Sequence, residues 1–218
     1  GERLYGEEIT KLRQKQAEYL ALQNQINPHF LYNALEAIRT DALLADCEDI
    51  AETTEALATF FRYTISNVKE YVTFSDELDN TENYFTIQRC RFGDKISMEL
   101  ELENEKLLEA RMPKLILQPL VENAIKYNQP GGSVQITISR SNGKAILRVA
   151  DTGCGIPDEY RTSIFEPFFR VDKSRSREMG GAGLGLALVR EIAALHGGTV
   201  QDEPAEGAGT VFTVALPM

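Results

Sequence analysis

From about Glu7 to Leu44 the chain contains no glycine and a single proline, and Leu12, Tyr19 and Ile26 recur every seven residues with Leu22 on the same side. This period predicts a long helix whose apolar seam faces a partner. After the polar stretch Asp46 to Asp49, the spacing of Ile50, Leu57, Phe61 and Ile65 predicts a second helix to about Asn67. Two helices joined so closely form an antiparallel hairpin. One hairpin cannot cover both of its apolar faces, so a homodimeric four-helix bundle is expected. Thr73, with Asp76 three residues later, has the form of a capping box and predicts a third helix ending near Arg91, Phe92 and Gly93.

Beyond Gly93 the period changes. Ile96, Met98, Leu100 and Leu102 alternate with polar residues, which is strand spacing. Pro113 is expected to open a helix running to about Tyr127. Residues 134–138 and 145–149 form a hairpin-like pair around Ser141, Asn142 and Gly143. A glycine-rich stretch near 180–185 precedes a helix to His196, and strands near 199–202 and 210–216 close the chain. The fold class is therefore α+β: a helical hairpin, then a sandwich of one mixed sheet covered by helices. The expected domains are 1–70 and 71–218, with 71–93 a helical connection.

The length of 218 residues accommodates two such domains. With 33 acidic against 23 basic residues, the net charge of −10 argues against duplex nucleic acid or an anionic bilayer as the main partner. A phosphate ligand must then find local cations or backbone donors. Cys47, Cys90 and Cys154 form no CxxC pair and suit a reducing compartment. No apolar run approaches the roughly 18 residues that span a membrane, and no signal-peptide pattern opens the chain. Because the chain begins with Gly1, it is expected to be a portion of a longer protein, with any membrane contact made only through upstream segments.

Five segments carry candidate chemistry. On the helix after Pro113, Asn123 and Lys126 are i,i+3 neighbours. A carboxamide oxygen can ligate Mg²⁺ and an ammonium can meet phosphate, although a plain polar helix face has the same pattern. The turn Asp151-Thr-Gly153-Cys-Gly155-Ile-Pro157 follows a strand, and an ionised Asp151, acceptor only, suits the exocyclic amine of adenine. Gly180-Gly181-Ala-Gly183-Leu184-Gly185 passes from loop to helix, where backbone N–H groups bind anions. It lacks the lysine of a P-loop. Between these two motifs, Phe165 to Phe169 and the cations Arg170, Lys173, Arg175 and Arg177 read as a hinge and a lid over phosphates. Upstream, His29 sits in Gln25-Ile-Asn-Pro-His29-Phe-Leu-Tyr-Asn33, with Asn33 one turn further on the same face. His196, before Gly197, reads as a helix terminus.

In order, these motifs resemble the histidine kinase family over nearly the whole chain. QINPHFLYN, FRYTISN and IQRCRFGDKI are similar to the phosphoacceptor region of the LytS and YehU-like branch. LQPLVENAIKYN, DTGCGIP, FEPFFRVD and GGAGLGLALV resemble the N, G1, F and G2 boxes. The resemblance implies a Bergerat-type ATP-binding domain behind a dimerisation and phosphotransfer hairpin. It implies autophosphorylation of His29 from ATP with Mg²⁺, followed by transfer to an aspartate of a response-regulator receiver domain. The Mg²⁺ role falls to Asn123, phosphate contact to Lys126 and adenine recognition to Asp151, with Tyr127 and Phe169 as nucleotide neighbours. The long F box and GLGLAL pattern, by contrast, match the orthodox kinases, and Phe30 stands where many of those carry an acidic residue after the histidine. Asn33 or a residue of the other domain must then orient the imidazole, or nothing does. Two alternatives are an ATP-hydrolysing clamp and a nucleotide sensor without transfer. The clamp needs an activating Glu one turn before Asn123, where this chain has Pro119; the sensor would lack a phosphohistidine.

Overall fold

The computed structural model describes residues 28–65, 71–93, 96–171 and 182–218. The chain divides into two compact units, Gly1–Val68 and Lys69–Met218. The heptad positions Leu12, Tyr19, Leu22 and Ile26 lie outside the described residues.

In the first unit, α1 (Pro28–Leu44) and α2 (Glu48–Ile65) form a hairpin. Asp46 takes the left-handed conformation (φ 52°), and the Cys47 N–H donates to the Ala42 carbonyl at 2.9 Å, closing the turn. Buried Leu35, Ala42, Ala51 and Ala58 fill the seam, and Arg39 Nε donates to Glu55 Oε2 at 3.2 Å across it. Small residues let the helices approach closely. Phe30 (71% exposed), Ile38, Leu44 (80%) and Ile50 remain on the outside.

The second unit is built on a five-stranded sheet in the order β2-β4-β5-β7-β6, with β2 (Ile96–Leu102) parallel to β4 (Gly132–Ser141) and all other pairs antiparallel. The remaining strands are β5 (Lys144–Asp151), β6 (Thr199–Pro204) and β7 (Thr210–Pro217). Alternation sends Val134, Ile136, Ile138, Leu147, Val149, Phe212 and Val214 to a single buried face. Helices α4 (Leu117–Lys126) and α5 (Gly185–Leu195) lie against the sheet, and α3 (Phe74–Phe92) packs on α4. Asn142 (φ 50°) and Gly143 (φ 74°) form the two-residue turn between β4 and β5, the left-handed pair that matches strand twist.

Helix α3 has the expected ends. The Thr73 hydroxyl accepts from the Asp76 N–H at 3.1 Å, the Asp76 carboxylate accepts from the Thr73 N–H at 2.8 Å, and Gly93 (φ 69°) terminates the helix. Pro113 does not open a helix. It ends β3 (Arg111–Pro113), which pairs with β1 (Tyr71–Thr73), and α4 starts only at Leu117. The reason lies outside the local sequence. Fully buried Glu77 accepts the Leu115 N–H at 2.9 Å and the Leu117 N–H at 3.0 Å, holding Leu115 at φ 67° and setting where helical bonding begins.

Candidate functional site

Of the ten residues of α4, seven are buried, and the open positions are Glu122, Asn123 and Lys126. The Asn123 Nδ2 donates to the Pro119 carbonyl at 2.8 Å, so the carboxamide oxygen is the atom left to accept. Gly185, at the start of α5, lies beside this face: a Cβ there would come within 3.3 Å of Pro119 Cβ and 3.8 Å of Asn123 Nδ2. Burial and the nearby Arg170 guanidinium push the Lys126 ammonium below its ordinary pKa, while Glu122 pulls it up. Two cations held this close gain from an anion between them.

Asp151 ends β5 and is 7% exposed. Its Oδ1 accepts from the Gly153 N–H at 2.8 Å and the Thr210 N–H at 3.3 Å, and no described residue donates to Oδ2. Burial raises its pKa, and the two backbone donors pull it back. The following turn is pinned to the end of α4, because the Cys154 N–H donates to the Tyr127 carbonyl at 3.1 Å. A side chain at Gly153 would collide with that carbonyl, so the close approach requires glycine. Gly155 (φ 70°) carries the chain past Gly209.

The third wall joins the aromatic hinge to the start of α5. The Phe168 N–H donates to the Gly183 carbonyl at 2.8 Å; Phe168 (φ 66°) and Gly183 (φ 71°) both sit in the left-handed region. Phe165 is buried, its ring 6.3 Å from that of Phe212, and the Phe169 ring lies 5.8 Å from Tyr160. Leu184 caps α5 without a side-chain hydrogen bond, leaving its first N–H groups for a ligand or solvent. Gly181 and the cations at 173, 175 and 177 lie outside the described residues.

Asn123, Lys126, Tyr127, Asp151, Gly153, Phe169, Gly183, Leu184 and Gly185 are thus tied together through α4, its C-terminal carbonyl and the start of α5. The donor set fits a magnesium-chelated purine triphosphate: an uncapped carboxylate oxygen for an amine, a neutral oxygen for a hard cation, and cations with a helix start for phosphates. An open hollow of about 490 Å³ between Thr73, Ser75 and Glu105 to Glu109 shares none of these groups. Sequence reasoning missed Thr210, Glu77 and Glu122. The first two act over 59 and about 40 residues of chain and leave no local signal. Glu122 could have been found, since it shares the i,i+4 row with Lys126.

In the first unit, His29 is exposed on α1, and Asn33 Nδ2 lies 3.3 Å from its Nδ1.

A family model of the histidine kinase-, DNA gyrase B- and HSP90-like ATPases matches residues 109–218, half of the chain, and a histidine kinase model matches residues 17–96. The chain belongs to the histidine kinase-, DNA gyrase B- and HSP90-like ATPase family. Within it the resemblance is to sensor histidine kinases. Sensor histidine kinase YesM of Bacillus subtilis is 33% identical over 92% of this chain and 33% of its own length. Sensor histidine kinase BtsS of Escherichia coli is 32% identical over 81% of this chain and 31% of its own. The chain thus spans about a third of the length of these relatives. Among solved structures, the catalytic domain of histidine kinase ThkA superposes with a TM-score of 0.55 at 27% identity, covering 67% of this chain and 93% of that one. The mycobacterial sensor histidine kinase MprB gives 0.53 at 28%, covering 69% and 97%.

Proposed function

We propose that this chain is the catalytic part of a two-component sensor histidine kinase, which moves the γ-phosphoryl group of ATP to His29 and then to an aspartate of a response-regulator receiver domain. The observation that carries the nucleotide half is the Cys154–Tyr127 backbone hydrogen bond. It brings the Asp151 turn against the end of the helix whose open face is Glu122, Asn123 and Lys126.

Asp151 Oδ2 accepts from the adenine amine, and the Gly153 approach gives the ring room. Asn123 supplies a neutral oxygen to Mg²⁺, which when bound neutralises phosphate charge. Lys126, Arg170 and the start of α5 hold the phosphates, so charge developing in transfer meets fixed donors. His29 needs placing in line more than it needs a dedicated base, because phosphoryl transfer draws mainly on positioning and charge stabilisation. Its Nε2 lone pair forms the new N–P bond as the bond from γ-phosphorus to the bridging oxygen breaks, and ADP leaves. For this, Nδ1 must carry the proton. Turned by half a rotation, the Asn33 amide presents its oxygen to Nδ1–H and holds that tautomer. Asn33 thereby takes the role that Phe30 cannot, and the same amide can orient water in receiver dephosphorylation.

Exposed Phe30, Ile38, Leu44 and Ile50 support a homodimer through the hairpin. The test of the function is incubation with γ-labelled ATP and Mg²⁺. Acid-labile label is expected on the wild type and absent from His29→Gln and Asn123→Ala; equal labelling of His29→Gln overturns the reading.

A further inference from the structure

We infer that Glu122 is the acidic member of the divalent-cation site, taking a cation-bound water on its untethered oxygen while Gln118 and Asn80 hold the other. The inference rests on the proposed reading of Asn123 as a magnesium ligand. It starts from α4, which carries two neighbouring i,i+4 rows, Pro119-Asn123 and Gln118-Glu122-Lys126. The first row faces Gly185 at the start of α5. The second is oriented from below by α3.

That orientation is a directed chain of hydrogen bonds. Asn80 Nδ2, on a residue 2% exposed, donates to Gln118 Oε1 at 2.7 Å. With its oxygen so occupied, Gln118 turns its nitrogen outward and donates to Glu122 Oε1 at 2.8 Å. Two buried amides thus fix one carboxylate oxygen of Glu122, and no described residue donates to the other. A side chain with no task beyond solvation would need no such support.

The chemistry selects the ligand. Mg²⁺ demands oxygen ligands, releases water reluctantly and is held by few direct protein groups. Asn123 brings a neutral oxygen; Glu122, on the neighbouring row of the same helix, would bring charge to the cation's water shell rather than a direct bond. A carboxylate there repels a bare triphosphate and attracts a chelated one, so it makes binding depend on the metal. Gln118 and Asn80 are positioning residues that act through Glu122.

The experiment measures binding of a fluorescent non-hydrolysable ATP analogue to the full chain, with Mg²⁺ titrated and with the metal chelated. Glu122→Gln keeps the acceptor for Gln118 and removes the charge. Its Mg²⁺ half-saturation is expected to rise about tenfold, in the range for loss of an outer-shell metal partner, while metal-free binding stays equal or tightens. Gln118→Leu should shift the titration the same way, and it carries the test if Glu122→Gln does not fold. An unchanged Mg²⁺ titration in both variants overturns the inference. So does weaker metal-free binding with unchanged metal dependence, which would make Glu122 an anchor for Lys126 instead. Wild-type protein that binds no nucleotide overturns the underlying reading as well, whereas Asn123→Ala losing metal dependence while Glu122→Gln keeps it overturns this inference alone.

Discussion

Replacing Asp151 with asparagine tests adenine recognition at a single atom. The amide oxygen can keep the Gly153 and Thr210 N–H donors on Oδ1, which forces the new NH₂ into the position of Oδ2. There it meets the adenine amine donor to donor. The complex loses a charged hydrogen bond, about 1.5–3 kcal/mol, and leaves a desolvated donor unpaired, about 1–3 kcal/mol more. At about 1.4 kcal/mol per decade, affinity should fall by roughly two to four orders of magnitude. The fold should not suffer, because burial disfavours the charge that the substitution removes. Calorimetric titration with a non-hydrolysable ATP analogue measures the first effect, and a nucleotide-free melting curve the second. Affinity within a few-fold of wild type, in a protein that melts normally, would refute the assignment of Asp151.

Other expectations follow from the same geometry. Because burial raises the Asp151 pKa in the folded state, the native protein binds more protons than the unfolded chain just above the ordinary carboxylate range. Nucleotide-free stability should therefore fall as pH rises through that window, nucleotide affinity should rise, and melting curves of Asp151→Asn should lose this contribution. Glu77→Ala strips two backbone donors of a buried carboxylate, a loss of about 3–5 kcal/mol; at roughly 2–4 °C per kcal/mol the ATP-binding unit should melt about 6–20 °C lower by calorimetry. Gly153→Ala drives a methyl into the Tyr127 carbonyl, and overpacking of about 1–3 kcal/mol should weaken analogue binding and lower the melting temperature together. Asn33→Ala removes one neutral hydrogen bond of about 0.5–1.5 kcal/mol, so His29 labelling should slow roughly two- to tenfold with analogue affinity unchanged.

What the sequence determined by itself was whatever local rules settle. The Thr73 to Asp76 box fixed the start of α3, Asn142-Gly143 fixed a hairpin turn, and alternation over 134–138 and 145–149 fixed the buried sheet face. The motifs also named most of the residues of the proposed site, because glycine where no side chain fits and acid after a strand are local demands. The tertiary structure alone decided which residues hold those motifs in place. Pro113 reads as a helix start until β1 pairs with its strand and Glu77 takes the N–H groups of Leu115 and Leu117. Thr210 steadies Asp151 from the far end of the chain, and Asn80 sets the direction of the Gln118 amide. A buried polar group must find its partner wherever folding brings one, and that requirement has no period, spacing or composition for a one-dimensional reading to detect.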